Sequence, residues 1–408
     1  MSTIETRVVV TGLGVISNIA IGQQAFAAAL RAGVGKVGPI KSFDTTGYPY
    51  AHATEIHDLG ALADDYRELA ATMGRSSCLA TLAGRQAVQD AGLAGDVLRA
   101  AGAGVVLGTT NGESQVIDAI VKGWLDDGAA SVPAGAWQHA PAHRIAHAVA
   151  GDLGLAGEAL VLATACAAGN YAIGHAADII QAGEADVMLC GGVDSVCRKT
   201  YSGFFRLGAI TPDVCRPFDA GRRGILTGEG AAVLVLESLD HATARGAHIY
   251  AEVLGYGSNC DARHMVAPDQ DSIAACIRIA HDRAGITPGQ VDYICAHGTG
   301  TRTNDVVEAG AVHAVFGARP PPLSSIKSML GHTMGAASAM GAIACVLGMR
   351  DDFLPPTIHF EQADPQCAVD CVPNHARPAY IGIAENHGFA FGGNNAILIL
   401  RNGKEITA

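Results

Sequence analysis

A chain of 408 residues, 49% hydrophobic and only 16% charged, can bury a large core and lacks the composition of a disordered segment. Its formal charge of −12 excludes general nucleic-acid binding, which needs a basic face against phosphate. No apolar run reaches ~18 residues, the start MSTIETRVVV has no leader pattern, and the eleven cysteines show no paired metal-ligand spacing. The expectation is a cytoplasmic protein without a membrane span, whose thiols are mostly small reduced hydrophobes.

Taken in order, TRVVVTGLGVIS (6–17) reads as a strand entering a glycine turn, and residues 73–92 as a helix with apolar spacing near 3.6. Buried strands follow in AGVVLGTTNGE (103–113), ALVLATACAAG (159–169), ADVMLCGGVDS (185–195) and GAAVLVLES (230–238). Short apolar strands with helices between them imply buried sheets in an α/β architecture. The pattern then recurs. HIYAEVLGYGS (248–258) reads as another strand and glycine turn, with a helix over 272–285. VDYICAHGTGT (291–301) echoes 103–113, and residues 321–349 echo the stretch around Cys166. The closing strands GEGAAVLVLES (228–238) and GGNNAILILRN (392–402) match most clearly. These echoes predict an internal duplication, residues 1–245 and 246–408, each half a sheet-and-helix layer set packed on the other. The G-x-G in VVVTGLGVIS does not extend to a dinucleotide fingerprint, which needs a third small residue and a later acid.

Candidate chemistry gathers at strand ends. Cys166 lies in ATACAAGN, between an apolar strand and a helix. A helix N-terminus offers unpaired N–H groups and partial positive charge, which lower a thiol pKa. Small flanks permit a sharp turn like a nucleophile elbow. A plain core cysteine is the competing reading. His297 in AHGTGT and His332 in KSMLGHTMGA stand in glycine-bearing turns after strands, with Lys327 five residues before His332. The other fourteen of the sixteen histidines, such as His139, His143 and His147, read as structural. NHGFAFGGNNA (386–396) carries Phe389 and Phe391, either core plugs or a mobile gate with a backbone N–H for an oxyanion.

TACAAG, CRPFDAGRRGILTGEGAA (215–232), AHGTGT, KSMLGH and GFAFGG occur in one order, and together they resemble a β-ketoacyl-acyl carrier protein synthase of the thiolase superfamily. The resemblance covers essentially the whole chain. It implies a thiolase-like α/β fold of two duplicated halves, layered α-β-α-β-α. It implies that Cys166 accepts an acyl group from the phosphopantetheine of an acyl carrier protein, with the N–H groups of Cys166 and Phe391 holding the oxyanion. His297 and His332 would stabilise the enolate formed as malonyl thioester loses CO₂, and Lys327 would orient His332 and its network. Thr299, Thr301, Phe389 and Gly392 match substrate-contacting positions. No metal is implied, and no cofactor beyond the carrier's phosphopantetheine.

The implied partners are an acyl carrier protein and either a second copy, paired through residues 159–164, or a cysteine-lacking chain-length-factor homologue. A basic mouth for the acidic carrier would draw on Arg198, Lys199, Arg206, Arg222 and Arg223. Asn111, Ile117 and Trp137 are placed on the acyl tunnel or the dimer face. Several residues depart from the family. Gly341 stands where many discrete synthases have a glutamate, nine residues after His332, which tilts the reading towards polyketide or polyene assembly and puts a structural cation in doubt. Ala167-Ala168, Ala390 and GGNNA replace commoner residues without removing a reacting group. Alternatives are a chain-length partner subunit, a thiolase, a non-elongating acyltransferase or decarboxylase, and a redox-sensing thiol. The presence of Cys166 opposes the first, and two histidines without a C-terminal-turn cysteine oppose the second.

Overall fold

The protein is described by a computed structural model over residues 6–406. The principal elements of the first half are β1 (Val8–Ser17), α1 (Arg75–Ala91), β2 (Gly104–Gly108), β3 (Ala159–Leu162), α2 (Ala168–Gln181), β4 (Val187–Asp194) and β5 (Gly230–Ser238). Those of the second are β6 (Ala251–Cys260), α3 (Gln270–Ala284), β7 (Tyr293–Cys295), α4 (Arg302–Phe316), β8 (Leu323–Ser324), α5 (Ala337–Asp351), β9 (Ile383–Phe389) and β10 (Asn394–Asn402).

The ten strands form one series, β8-β7-β9-β10-β6-β1-β5-β4-β2-β3, so the order 3-2-4-5-1 of the first half recurs as 8-7-9-10-6. Pairing sense recurs too. β2 is parallel to β3 and β4, and β5 is antiparallel to β4 and β1. β7 is likewise parallel to β8 and β9, and β10 antiparallel to β9 and β6. The halves join edge to edge where β1 meets β6, through Val8–Val253, Val9–Glu252 and Val10–Ala251.

α2 and α5 lie between the halves, each touching strands of both. α1 covers the outer side of the first half, and α3 with α4 that of the second. This gives the expected α-β-α-β-α layering, with a core in each gap. α5 is buried on every side from Ala337 to Met349, which is why its sequence is apolar all round.

Two predicted glycine turns are instead continuous strand. β1 runs to Ser17 and β6 to Cys260. Their glycines answer to a helix. A Cβ on Gly12 or Gly14 would lie 2.2 Å from the Ala87 carbonyl oxygen or 1.9 Å from that of Ala83, both in α1. Gly257 and Gly255 face α3 in the same way, 2.5 Å from the Cys276 carbonyl oxygen and 3.0 Å from the Ala284 nitrogen. Missing side chains let each helix press onto its strand. The run 159–164, expected to be buried on both faces, is partly open in the single chain because β3 ends the series.

Candidate active site

Past β3 the chain passes through Ala165 at φ 50°, makes one 3-10 turn over Ala165–Ala167, and enters α2. The left-handed conformation costs a non-glycine residue about 1 kcal/mol and turns Cys166 outward at the helix start. The second half repeats the turn, with Met334 at φ 51°, a 3-10 turn over Met334–Ala336, and then α5. The two helix N-termini meet here, since a Cβ on Gly169 would lie 2.5 Å from the Ala339 nitrogen. That crossing accounts for the small residues around Cys166.

Cys166, His297, His332, Phe389 and Phe391 line a single cavity of about 520 Å³, together with Thr299 and Thr301. The two imidazole rings are 5.5 Å apart and nearly perpendicular at 81°, and Phe389 lies 5.5 Å from His297. Phe389 is buried, whereas Phe391 is half-buried with its ring 5.2 Å from Phe204. Gly392 stands outside the lining; its N–H donates to the Met265 carbonyl at 2.8 Å.

Backbone bonds from both halves fix the histidines. His332 donates its N–H to Leu226 at 2.6 Å and accepts from Gly228 at 2.9 Å, so the ILTGEG segment of the first half clamps it. Its Nδ1 accepts the Met334 N–H at 3.2 Å, which places the ring proton on Nε2. Among the described residues, none bonds the ring nitrogens of His297. Its turn hangs instead on α4: Glu308 accepts the N–H groups of His297 and Gly298, both at 2.7 Å, and Asp305 that of Thr299 at 3.0 Å. The Lys327 ammonium donates to the carbonyl of His297. Its direct partner is therefore His297, not the expected His332. Asp194, at the end of β4, accepts from Thr109 Oγ1 at 2.7 Å, Thr110 and Asn111 N–H at 2.8 Å, and Gly335 N–H at 2.6 Å. It thus ties the turn after His332 to the first half.

Burial, then the Lys327 charge, holds His297 and His332 well below the ordinary imidazole range, so both are neutral at pH 7. Burial also lowers Lys327. Cys166 departs from the sequence expectation. Burial pushes its thiol up to about 12, Asp194 adds to this, and Lys327 with the N–H groups of Cys166 and Phe391 opposes it. The helix N-terminus is present, but desolvation outweighs it. The backbone N–H groups of Cys166 and Phe391 thus favour negative charge at this position.

Among the proposed mouth cations, Arg198, Lys199, Arg206 and Arg223 are exposed, and Arg223 lines the cavity. Arg222 is not a surface cation: it is buried against Asp364 at 2.6 Å and Asp305 at 3.7 Å. Asn111 is buried and bonded to Thr200, whereas Ile117 and Trp137 are exposed and lie outside the cavity lining. At Gly341 a Cβ would sit 2.3 Å from Asn386 Oδ1, and the Asn386 amide donates to Asn170 Oδ1 at 2.7 Å. An asparagine pair fills the space a glutamate would enter. Sequence reasoning missed Asp194, Asp305 and Glu308. The available signal for the last two was acid in the helix directly after AHGTGT, where loop N–H groups need acceptors.

The duplicated five-layer topology, with a thiol and two neutral imidazoles in one cavity between the halves, defines the class of thiolase-fold condensing enzymes. Residues 5–242 match the family profile of the beta-ketoacyl synthase N-terminal domain, and residues 250–361 that of its C-terminal domain. The chain belongs to the β-ketoacyl synthase family. It is 39% identical over 402 residues to Nodulation protein E of Rhizobium sp. (strain N33), covering 97% of this chain and 99% of the relative. It is 37% identical over 406 residues to 3-oxoacyl-[acyl-carrier-protein] synthase 2 of Synechocystis sp., covering 97% and 98%. Among solved structures, the ishigamide ketosynthase/chain length factor superposes with a TM-score of 0.93 at 48% identity, covering 98% and 99%. A type II polyketide synthase acyl-carrier protein in complex with its ketosynthase bound to the hexaketide gives 0.89 at 30% identity, with the same coverage.

Proposed function

We propose that this ketosynthase joins a Cys166-bound acyl chain to a malonyl carrier thioester by decarboxylative Claisen condensation, in a discrete polyketide, polyene or fatty acid pathway. The observation that carries the reading is the shared cavity of Cys166, His297 and His332. The thiol proton must leave as sulfur attacks the incoming thioester, because burial keeps it bound at rest. His297 is neutral and free at its ring nitrogens, so it accepts that proton and passes it to the departing pantetheine sulfur. The N–H groups of Cys166 and Phe391 hold the oxyanion, and the acyl group rests on sulfur.

In the second half-reaction His332 offers Nε2–H, and His297 a ring N–H, to the malonyl thioester oxygen. Neutral donors suit an enolate, since they stabilise its charge without protonating its carbon. CO₂ leaves, the carbanion attacks the acyl-cysteine carbonyl, the carbon–sulfur bond to Cys166 breaks with its sulfur taking up a solvent proton, and a 3-oxoacyl thioester two carbons longer departs. Lys327 and Glu308 fix the His297 turn. Thr299, Thr301 and Phe389 line the path of the pantetheine arm, which the carrier supplies, and Phe391 gates it.

The carrier is an acyl carrier protein, met by Arg198, Lys199, Arg206 and Arg223. The exposed β3 edge and the apolar residues Ile117, Val121, Trp124 and Leu125 of helix Ser114–Asp127 fit a second ketosynthase-like subunit, a copy or a chain-length factor. The halves 1–245 and 246–408 are the natural units of this arrangement, and no described helix is long and apolar enough to cross a membrane. Intact-mass spectrometry after incubation with an acyl carrier thioester tests the reading. An acyl adduct that maps to Cys166 and is absent from Cys166→Ala supports it; an unmodified protein with active reagents refutes it.

A further inference from the structure

His387 sits at the centre of a buried chain of four titratable groups. Its Nδ1 lies 2.9 Å from Glu308 Oε1 and its Nε2 2.6 Å from Glu385 Oε1, while Glu385 Oε2 lies 2.7 Å from His281 Nε2. The side chains of His387, Glu308 and Glu385 are all 0% exposed. A carboxylate at each ring nitrogen requires a hydrogen on each, because an ionised carboxylate only accepts. The ring is therefore an imidazolium. Glu308 is the same residue that carries the N–H groups of His297 and Gly298. The His387 ring also stacks 5.2 Å from Phe389, which in turn contacts His297 at 5.5 Å.

We infer that His387 is a positioning residue for decarboxylation: a fixed cation that holds Glu308 under the AHG turn and keeps the His297 imidazole unprotonated. The inference rests on the proposed role of His297 and adds a group the condensation chemistry does not otherwise use. Burial works against the His387 charge, but the bonds to Glu308 and Glu385 outweigh it and bring the ring to about 9. Its charge adds to burial, Lys327 and His332 in pushing His297 down.

The other groups facing this chain are accounted for. Asp305 on α4 pairs with Arg222, and the Asn304 amide bridges Asp305 and Glu308. Cys295 of β7 feels both Lys327 and His387, and His281 of α3 closes the far end. With His387 replaced by a neutral residue, Glu308 and Glu385 face each other without a cation between them. Loss of the positive charge and exposure of the negative ones act in the same direction, and both raise the proton affinity of His297. The acid limb of decarboxylation then moves to higher pH, because activity falls as His297 protonates.

The test is the pH profile of CO₂ release from malonyl carrier thioester by His387→Gln and wild type, with acyl transfer to Cys166 measured in parallel. The expected result is an acid limb moved up by about one pH unit, with kcat lowered about tenfold on that limb. KM for the malonyl carrier should stay within about twofold, and the acylation rate should match wild type on its plateau while its own acid limb moves up with that of decarboxylation, since both half-reactions need His297 unprotonated. An equal fall of both half-reactions at every pH, with the limb unmoved, assigns His387 to packing alone and overturns the inference. If the variant does not fold, nitrogen-15 NMR of histidine-labelled wild type decides. A buried ring protonated on both nitrogens at pH 8 supports the inference, and only neutral buried rings at that pH overturn it. Wild type that releases no CO₂ from the malonyl thioester removes the condensing role itself, an outcome distinct from wild type that decarboxylates while the variant's limb stays in place.

Discussion

Cys166, the proposed nucleophile, is kept protonated at rest by burial, and this has a measurable signature. With its thiol pushed up to about 12 by burial, the thiolate fraction grows across the whole accessible pH range. The rate of Cys166 alkylation by iodoacetamide should therefore rise with pH and show no plateau below about pH 9. A plateau near pH 7 would mean that the helix N-terminus wins over desolvation. In the proposed mechanism the histidines act as neutral donors, so His332→Ala should lower malonyl decarboxylation by about 10²–10³-fold, the usual cost of one oxyanion donor. Acyl transfer to Cys166 should persist in that variant, as radiolabelled acyl-enzyme would show. That Cys166, His297 and His332 share one cavity was legible in the sequence because each stands in a small-residue turn at a strand end. Their protonation was not, since burial is a tertiary property. His387 was read as structural because Glu308, the partner of its Nδ1, and His281, which bonds the far oxygen of Glu385, lie far away in the chain and come near only once α3, α4 and β9 pack together.

At the level of elements, the site depends on how closely helices approach strands and one another. Gly12 and Gly14 were legible as a motif but misread as a turn, because a glycine pair in a strand looks the same whether the chain bends or a helix presses on it. Gly14→Ala should destabilise the fold by about 1–3 kcal/mol in chemical denaturation, since the added Cβ meets main-chain atoms of α1 that cannot rotate away. A neutral result would mean that α1 can withdraw freely from β1. The duplication was legible as four short echoes, and its physical content is the repeated strand order, the repeated left-handed residues Ala165 and Met334, and the repeated glycine–helix contacts of β1 and β6. What the echoes could not show is that the second elbow carries Gly335 and no nucleophile, and instead bonds Asp194 through its N–H.

Across the whole molecule, an acidic enzyme must meet an acidic carrier at a local patch of opposite sign. Arg206→Glu with Arg223→Glu should raise KM for carrier-borne substrates about tenfold and weaken the salt dependence of binding, with kcat nearly unchanged. Equal KM values for variant and wild type would place the carrier elsewhere. Arg222 cannot be used this way, because its charge is spent on Asp364 and Asp305 in the interior. Composition could not separate the two adjacent arginines; only the packing of the loop before β5 does. The account stands most directly on a single-turnover experiment with pre-acylated enzyme and malonyl carrier thioester labelled at its free carboxyl carbon. It predicts labelled CO₂ and a 3-oxoacyl carrier product two carbons longer in equal amounts, with the Cys166 adduct lost at the same rate. CO₂ without elongated product, or hydrolysis of the adduct without CO₂, would contradict it.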